Sequence, residues 1–171
     1  MRPRSIPPVL LALAVALSVL PGCTGSNETS LVTGAPAPDF SLPMLSGETM
    51  SLSQFRGQPV FINLWSLECP ACIEEMPYLQ AAYSRKQDQV AFVAMNIGDS
   101  PSRVMQFVLR TRLSLPVALD PDYATVYSRS IRYFPTTVAI DRDGILRKVK
   151  VGPFRDTNDI LAWLESARVL P

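Results

Sequence analysis

The 171-residue chain has no histidine and only three cysteines. A zinc site needs four N or S ligands, so a pair of cysteines would require two more, and only Cys23 is left to offer. Attachment of a c-type haem needs histidine after the second cysteine of a Cys-x-x-Cys pair; Ile73 stands there instead. An excess of one charge is also missing. Sixteen basic residues face 15 acidic ones, with no basic patch and no block of like charge, which argues against a nucleic-acid partner. Apolar runs are short: Val9 to Leu20, broken by Ser18, falls below the roughly 20 residues a membrane-spanning helix needs. Internal repeats are absent. With 47% hydrophobic residues, what remains is the composition of one compact domain.

The first residues are distinct from that domain. Met1-Arg2-Pro3-Arg4 is a basic start, and the apolar stretch after it suits the core of a signal peptide. It ends in Leu20-Pro21-Gly22-Cys23, which resembles the bacterial lipobox. That resemblance implies removal of residues 1–22 and a lipid on Cys23, anchoring the chain to a membrane. An ordinary signal peptide that leaves Cys23 as a spare thiol, and an uncleaved anchor, are the alternatives. Residues 23–35 are rich in Gly, Ser, Thr and Asn and read as a flexible tether, with a domain over 36–171.

Within the domain, Asp39–Leu42 and Glu48–Leu52 alternate around Ser46-Gly47 and predict an opening hairpin. A short helical turn over 53–56 leads into a buried strand, Val60 to Leu64. A helix is expected over about 70–85, with Ile73, Met76, Leu79 and Tyr83 at helical spacing. A second buried strand spans 89–97. Ser100-Pro101 opens a helix to about residue 112, and a strand covers 116–119. Asp120-Pro121 repeats the cap-plus-proline signal for a helix to about residue 130. Strands 136–140 and 146–151 flank the turn Asp141-Arg142-Asp143-Gly144, and residues 156–168 close the chain as an amphipathic helix. Strands alternating with helices, then a hairpin and a helix, imply a three-layer α/β/α sandwich with a mixed sheet.

The chemistry sits in Cys69-Pro70-Ala71-Cys72, between the first buried strand and its helix. Cys69 falls at the N-cap and Pro70 at the first helical position, where a missing N–H costs nothing. A helix N-terminus stabilises a thiolate, so Cys69 is the expected nucleophile. Cys72, one turn inward, is placed to attack a mixed disulfide and release product. A purely structural bridge is a poor alternative, since it closes a tiny loop and stabilises little.

Ala37-Pro38-Asp39-Phe40, Ile62-Asn63-Leu64-Trp65, the Cys-Pro-Ala-Cys motif, Glu74-Glu75-Met76-Pro77 and Pro135-Thr136-Thr137 stand in order. So does Ile140 to Gly144. Together, across residues 36–168, they resemble the TlpA/ResA branch of the thioredoxin superfamily. The resemblance implies a thioredoxin-like sandwich with an N-terminal hairpin. Its implied activity is that of a membrane-tethered, extracytoplasmic thiol–disulfide oxidoreductase, usually a reductant. No cofactor or metal is required. The implied partners are a disulfide-containing protein, apocytochrome c in some members, and a membrane electron donor. Pro135 matches the family's cis-proline, and Phe134 before it is implied to contact substrate, as is Trp65. Glu75 matches an acidic residue that manages the proton of Cys72. Pro70 and Ala71 tune the redox couple. Glu68 stands where the family usually has tryptophan, and a carboxylate beside Cys69 is expected to disfavour its thiolate.

Two other functions fit parts of the chain. Peroxiredoxin-like peroxidases also begin with Ala-Pro-x-Phe but carry Pro-x-x-x-Thr-x-x-Cys, whereas Trp65-Ser66-Leu67-Glu68 precedes Cys69 here. A Cu(I) chaperone would use both thiolates, which suit a soft ion. Its relatives add a distal histidine that this chain lacks.

Overall fold

The computed structural model describes residues 31–170; the signal segment and Cys23 lie outside the described residues. Among the described residues, seven strands form two sheets. β1 (Ser41–Pro43) and β2 (Thr49–Ser51) pair antiparallel as the opening hairpin. The central sheet contains β3 (Val60–Trp65), β4 (Ala91–Ile97), β5 (Val117–Asp120), β6 (Thr136–Ile140) and β7 (Leu146–Val151), in the order β5-β4-β3-β6-β7. β3, β4 and β5 run parallel, and β6 and β7 are antiparallel, so the sheet is mixed. Helices α1 (Pro70–Lys86), α2 (Pro101–Thr111), α3 (Val126–Ser130) and α4 (Thr157–Ser166) complete the fold, with a 3-10 turn at Leu52–Phe55.

Every residue of β3 is buried, because both faces of the central strand are covered. The alternation of side chains sorts them. Phe61 and Trp65 join a core with Met76, Leu79, Phe107, Ile160 and Trp163, under α1, α2 and α4. Val60, Ile62 and Leu64 join a second core with Phe40, Leu42, Met50 and Tyr127, under the hairpin and α3. Asn63 falls on the α1 face, and its registered partner on β6 is Thr137. A polar pair is thus delivered directly beneath the helix that begins at the cysteines.

Residues just ahead of position 36 reach the β6–β7 hairpin: the Gly34 N–H donates to the Leu146 carbonyl and the Leu146 N–H to that of Ala35. The last residues of the expected tether are therefore tied to the β6–β7 hairpin. The helix expected at Asp120-Pro121 begins only at Val126, capped by Thr125, whose hydroxyl accepts from the Ser128 N–H. Asp120 ends a buried strand at 1% exposure and collects the donors nearest to it. These are the Ala124 N–H (2.7 Å), the Thr125 N–H (3.2 Å) and the Thr125 hydroxyl (2.8 Å), which close a turn rather than open a helix. Along α1, the buried stripe runs through Cys72, Glu75, Met76, Leu79 and Ala82, with Ile73 and Tyr83 at its margin. No helix among the described residues is long and apolar enough to cross a membrane.

Candidate active site

β3 ends at Trp65, and the loop Ser66–Glu68 delivers Cys69 as the N-cap of α1, with Pro70 at its start. Cys69 and Cys72 are joined as a disulfide, with Cα atoms 5.3 Å apart. The Cys72 N–H donates to the Cys69 sulfur (3.1 Å). Cys69 is half-buried and Cys72 fully buried, so an incoming thiolate reaches the Cys69 side of the bond. Pro70 is exposed and Ala71 half-buried between them.

The Phe134–Pro135 peptide is cis. Pro135 is buried one position before Thr136, which pairs with Leu64 at the end of β3, and its carbonyl accepts from the Gly152 N–H. Phe134 is half-buried and rests against both cores. Its own N–H and carbonyl have no partner among the described residues, which leaves a short length of main chain open to another chain.

Glu75 lies one turn after Cys72 and is 1% exposed. Its Oε1 accepts from Asn63 Nδ2 (2.9 Å) and its Oε2 from the Phe154 N–H (2.7 Å). Burial pushes its proton affinity up, against the pull of the Phe154 N–H, the Asn63 amide and the positive charge of Lys150. Asn63 Nδ2 also donates to the Thr137 hydroxyl (3.0 Å), while Asn63 Oδ1 is buried without a partner among the described residues. Lys150 supports this arrangement by donating to the carbonyls of Gly152 and Pro153, just before Phe154. The carboxyl group is therefore enclosed and served by two donors.

Two sequence expectations are revised here. Trp65, expected at the substrate surface, is fully buried and packs on Phe107, ring centres 5.4 Å apart. It is the last residue of a strand whose odd-numbered side chains face α1 and α2, so its indole supports the loop from below. Glu68, expected to set a carboxylate beside Cys69 that disfavours its thiolate, is paired with Arg103 (2.6 Å).

Arg103 also reaches Asp99 (3.4 Å), a carboxylate that is 3% exposed and that no sequence motif marks. Asp99 accepts from the Leu67 N–H (2.7 Å), the Ser66 hydroxyl (3.1 Å) and Asn96 Nδ2 (3.0 Å). This cluster fixes the loop that carries Cys69. Asp99 belongs to no local motif; its contacts to the loop span more than thirty positions of chain.

The chain matches the family model described as Redoxin over residues 32–164. It is 33% identical over 144 residues to the thiol-disulfide oxidoreductase ResA of Geobacillus thermodenitrificans, covering 84% of this chain and 82% of that one. With ResA of Bacillus subtilis it shares 31% identity over 151 residues, covering 87% and 84%. A crystal structure from Chlorobium tepidum, assigned as the thiol:disulfide interchange protein DsbE, superposes with a TM-score of 0.73 at 27% identity. It spans 82% of this chain and 99% of that one.

Proposed function

Starting from a chain that belongs to the redoxin family and is a thiol–disulfide oxidoreductase of the ResA/DsbE type, we propose that it is an extracytoplasmic, membrane-anchored reductase of protein disulfides. Apocytochrome c is the substrate class carried over from the family resemblance. The observation that carries the reading is the graded burial of the dithiol: Cys69 accessible at a helix N-cap, Cys72 enclosed, and a buried carboxyl group one turn further on.

In the reduced enzyme the Cys69 thiolate attacks a substrate disulfide, forming a mixed disulfide and expelling one substrate thiolate. Cys72 then attacks the Cys69 sulfur, closes the Cys69–Cys72 bond and expels the second. Two electrons pass to the substrate, and each departing thiolate takes up a proton. Glu75 accepts the Cys72 proton as that sulfur becomes a nucleophile and returns it when the couple is re-reduced. The open main chain at Phe134 pairs with the substrate chain, with Pro135 behind it. Pro70 and Ala71 tune the couple, as does Glu68, weakly, because Arg103 compensates its charge. Re-reduction draws on a membrane electron donor, since the compartment is oxidising.

The anchor is a lipid on Cys23 after loss of residues 1–22, supported by the Leu20-Pro21-Gly22-Cys23 motif. Cys23→Ser is expected to release the protein from the membrane fraction. A variant that stays with the membrane rules out the lipid anchor.

Equilibration of the Cys69–Cys72 couple with defined thiol buffers tests the direction of electron flow. A potential near that of thioredoxin, about −270 mV, fits a reductant. A value near about −120 mV makes the protein an oxidant and overturns the proposal.

A further inference from the structure

Beside the dithiol lies a groove of about 280 Å³ between the start of α1 and one face of α2. Its apolar floor is Leu67, Ile73 and Phe107, and its rim is Arg103, Gln106 and Arg110. Two floor residues flank the dithiol along the chain: Leu67 lies two residues before Cys69, and Ile73 directly follows Cys72. The floor is also firm. Phe107 is buried against Trp65, and the main chain of Leu67 is held by Asp99.

The rim has one sign of charge. Arg103, Gln106 and Arg110 lie along a single stripe of α2 at positions i, i+3 and i+7, and no carboxylate lines the groove. Arg103 is committed to Glu68 and Asp99. Arg110 is exposed and makes no salt bridge or side-chain hydrogen bond among the described residues. A guanidinium left free at the edge of an apolar groove matches a carboxylate carried next to an apolar side chain.

We propose that this groove receives the segment of the substrate protein that flanks its disulfide, and that it selects segments bearing an acidic residue. The apolar side chain fills the floor, the carboxylate meets Arg110, and the substrate disulfide is thereby presented to Cys69. This rests on the disulfide-reductase reading, and it adds a preference that the reading does not contain.

The test uses the full chain and two oxidised peptides with the same Cys-x-x-Cys disulfide, flanked in one by glutamates and in the other by lysines. The readout is the ratio of kcat/KM between them. The wild type is expected to favour the acidic peptide roughly fivefold, with the preference shrinking at high salt. Arg110→Gln levels the two and Arg110→Glu reverses them, while Arg85→Glu, in the last turn of α1, keeps the wild-type ratio. Equal rates on both peptides, or a preference that survives Arg110→Glu, overturns the groove as a recognition site and leaves the reductase standing. Failure to reduce either peptide or a small aromatic disulfide overturns the reductase reading and the groove with it.

Discussion

Two buried carboxylates hold the loop and helix that carry the dithiol, and they are served very differently. Asp99, on the loop side, accepts from a backbone N–H, a hydroxyl, an amide and a guanidinium. Glu75, on the buried face of the helix, accepts from one amide and one backbone N–H; among the described residues no cation touches it and the amide oxygen of Asn63 has no partner. A carboxylate whose oxygens are taken up by four donors, a guanidinium among them, is suited to fastening. One enclosed with few donors gains less from ionising and is suited to exchange a proton. Equal burial therefore does not mean equal work.

The largest effect expected from breaking this contrast is on Asp99. Asp99→Ala strands the Leu67 N–H and the other donors and is expected to cost about 3 kcal/mol in urea unfolding. Glu75→Gln can keep the Phe154 contact and offer Asn63 Oδ1 a donor, so it should cost little stability or none. If the two substitutions destabilise equally, Glu75 is a structural group like Asp99.

The second expected effect is kinetic. Glu75→Gln should lower turnover on the order of 10²-fold and flatten its dependence on pH, because the resolving thiol loses its proton partner. Single-turnover rates across pH on a disulfide peptide check this. A normal rate with an unchanged pH profile removes Glu75 from the chemistry.

The same variant predicts a smaller, thermodynamic difference. Burial raises the Glu75 proton affinity in the fold, so the folded protein keeps its proton at pH values where the unfolded chain has released it. The wild-type contribution is therefore most favourable below the ordinary value of 4.5. It is lost as pH rises through the higher folded-state value. Relative to wild type, Glu75→Gln should gain melting temperature from pH 4.5 upward, and the advantage should vanish below it. Parallel melting curves across pH would erase the contrast with Asp99.

The smallest effect is expected at Glu68. Its pair with Arg103 is exposed on both sides, with side-chain exposures of 74% and 55%, so water and salt screen it. Glu68→Gln should leave the melting temperature within error and barely move the potential of the couple. A large shift in potential would show that Glu68 acts on Cys69 despite Arg103.

The parts of this protein that short stretches of chain encode were legible in advance. The strand over Val60–Trp65, the cap at Cys69 and the helix after it follow from a buried run, an N-cap with proline behind it and apolar spacing. The hairpins at 41–51 and 136–151 follow from alternation around glycine turns. Asp120-Pro121 misled because a cap signal is judged only by its neighbours, whereas Asp120 answers to its burial at a strand end.

The amino-acid sequence by itself determined that two cysteines meet at a helix start, which sulfur faces outward, and that a carboxylate follows one turn later. Those are consequences of backbone geometry within a few residues. Only the tertiary structure decided that Trp65 is interior, that Glu68 is answered by Arg103, and that Asp99 fastens the loop. It alone brought the N–H of Phe154 to Glu75 across 79 positions of chain. Desolvation and charge pairing depend on what packing brings into contact, and no short-range pattern along the chain records that.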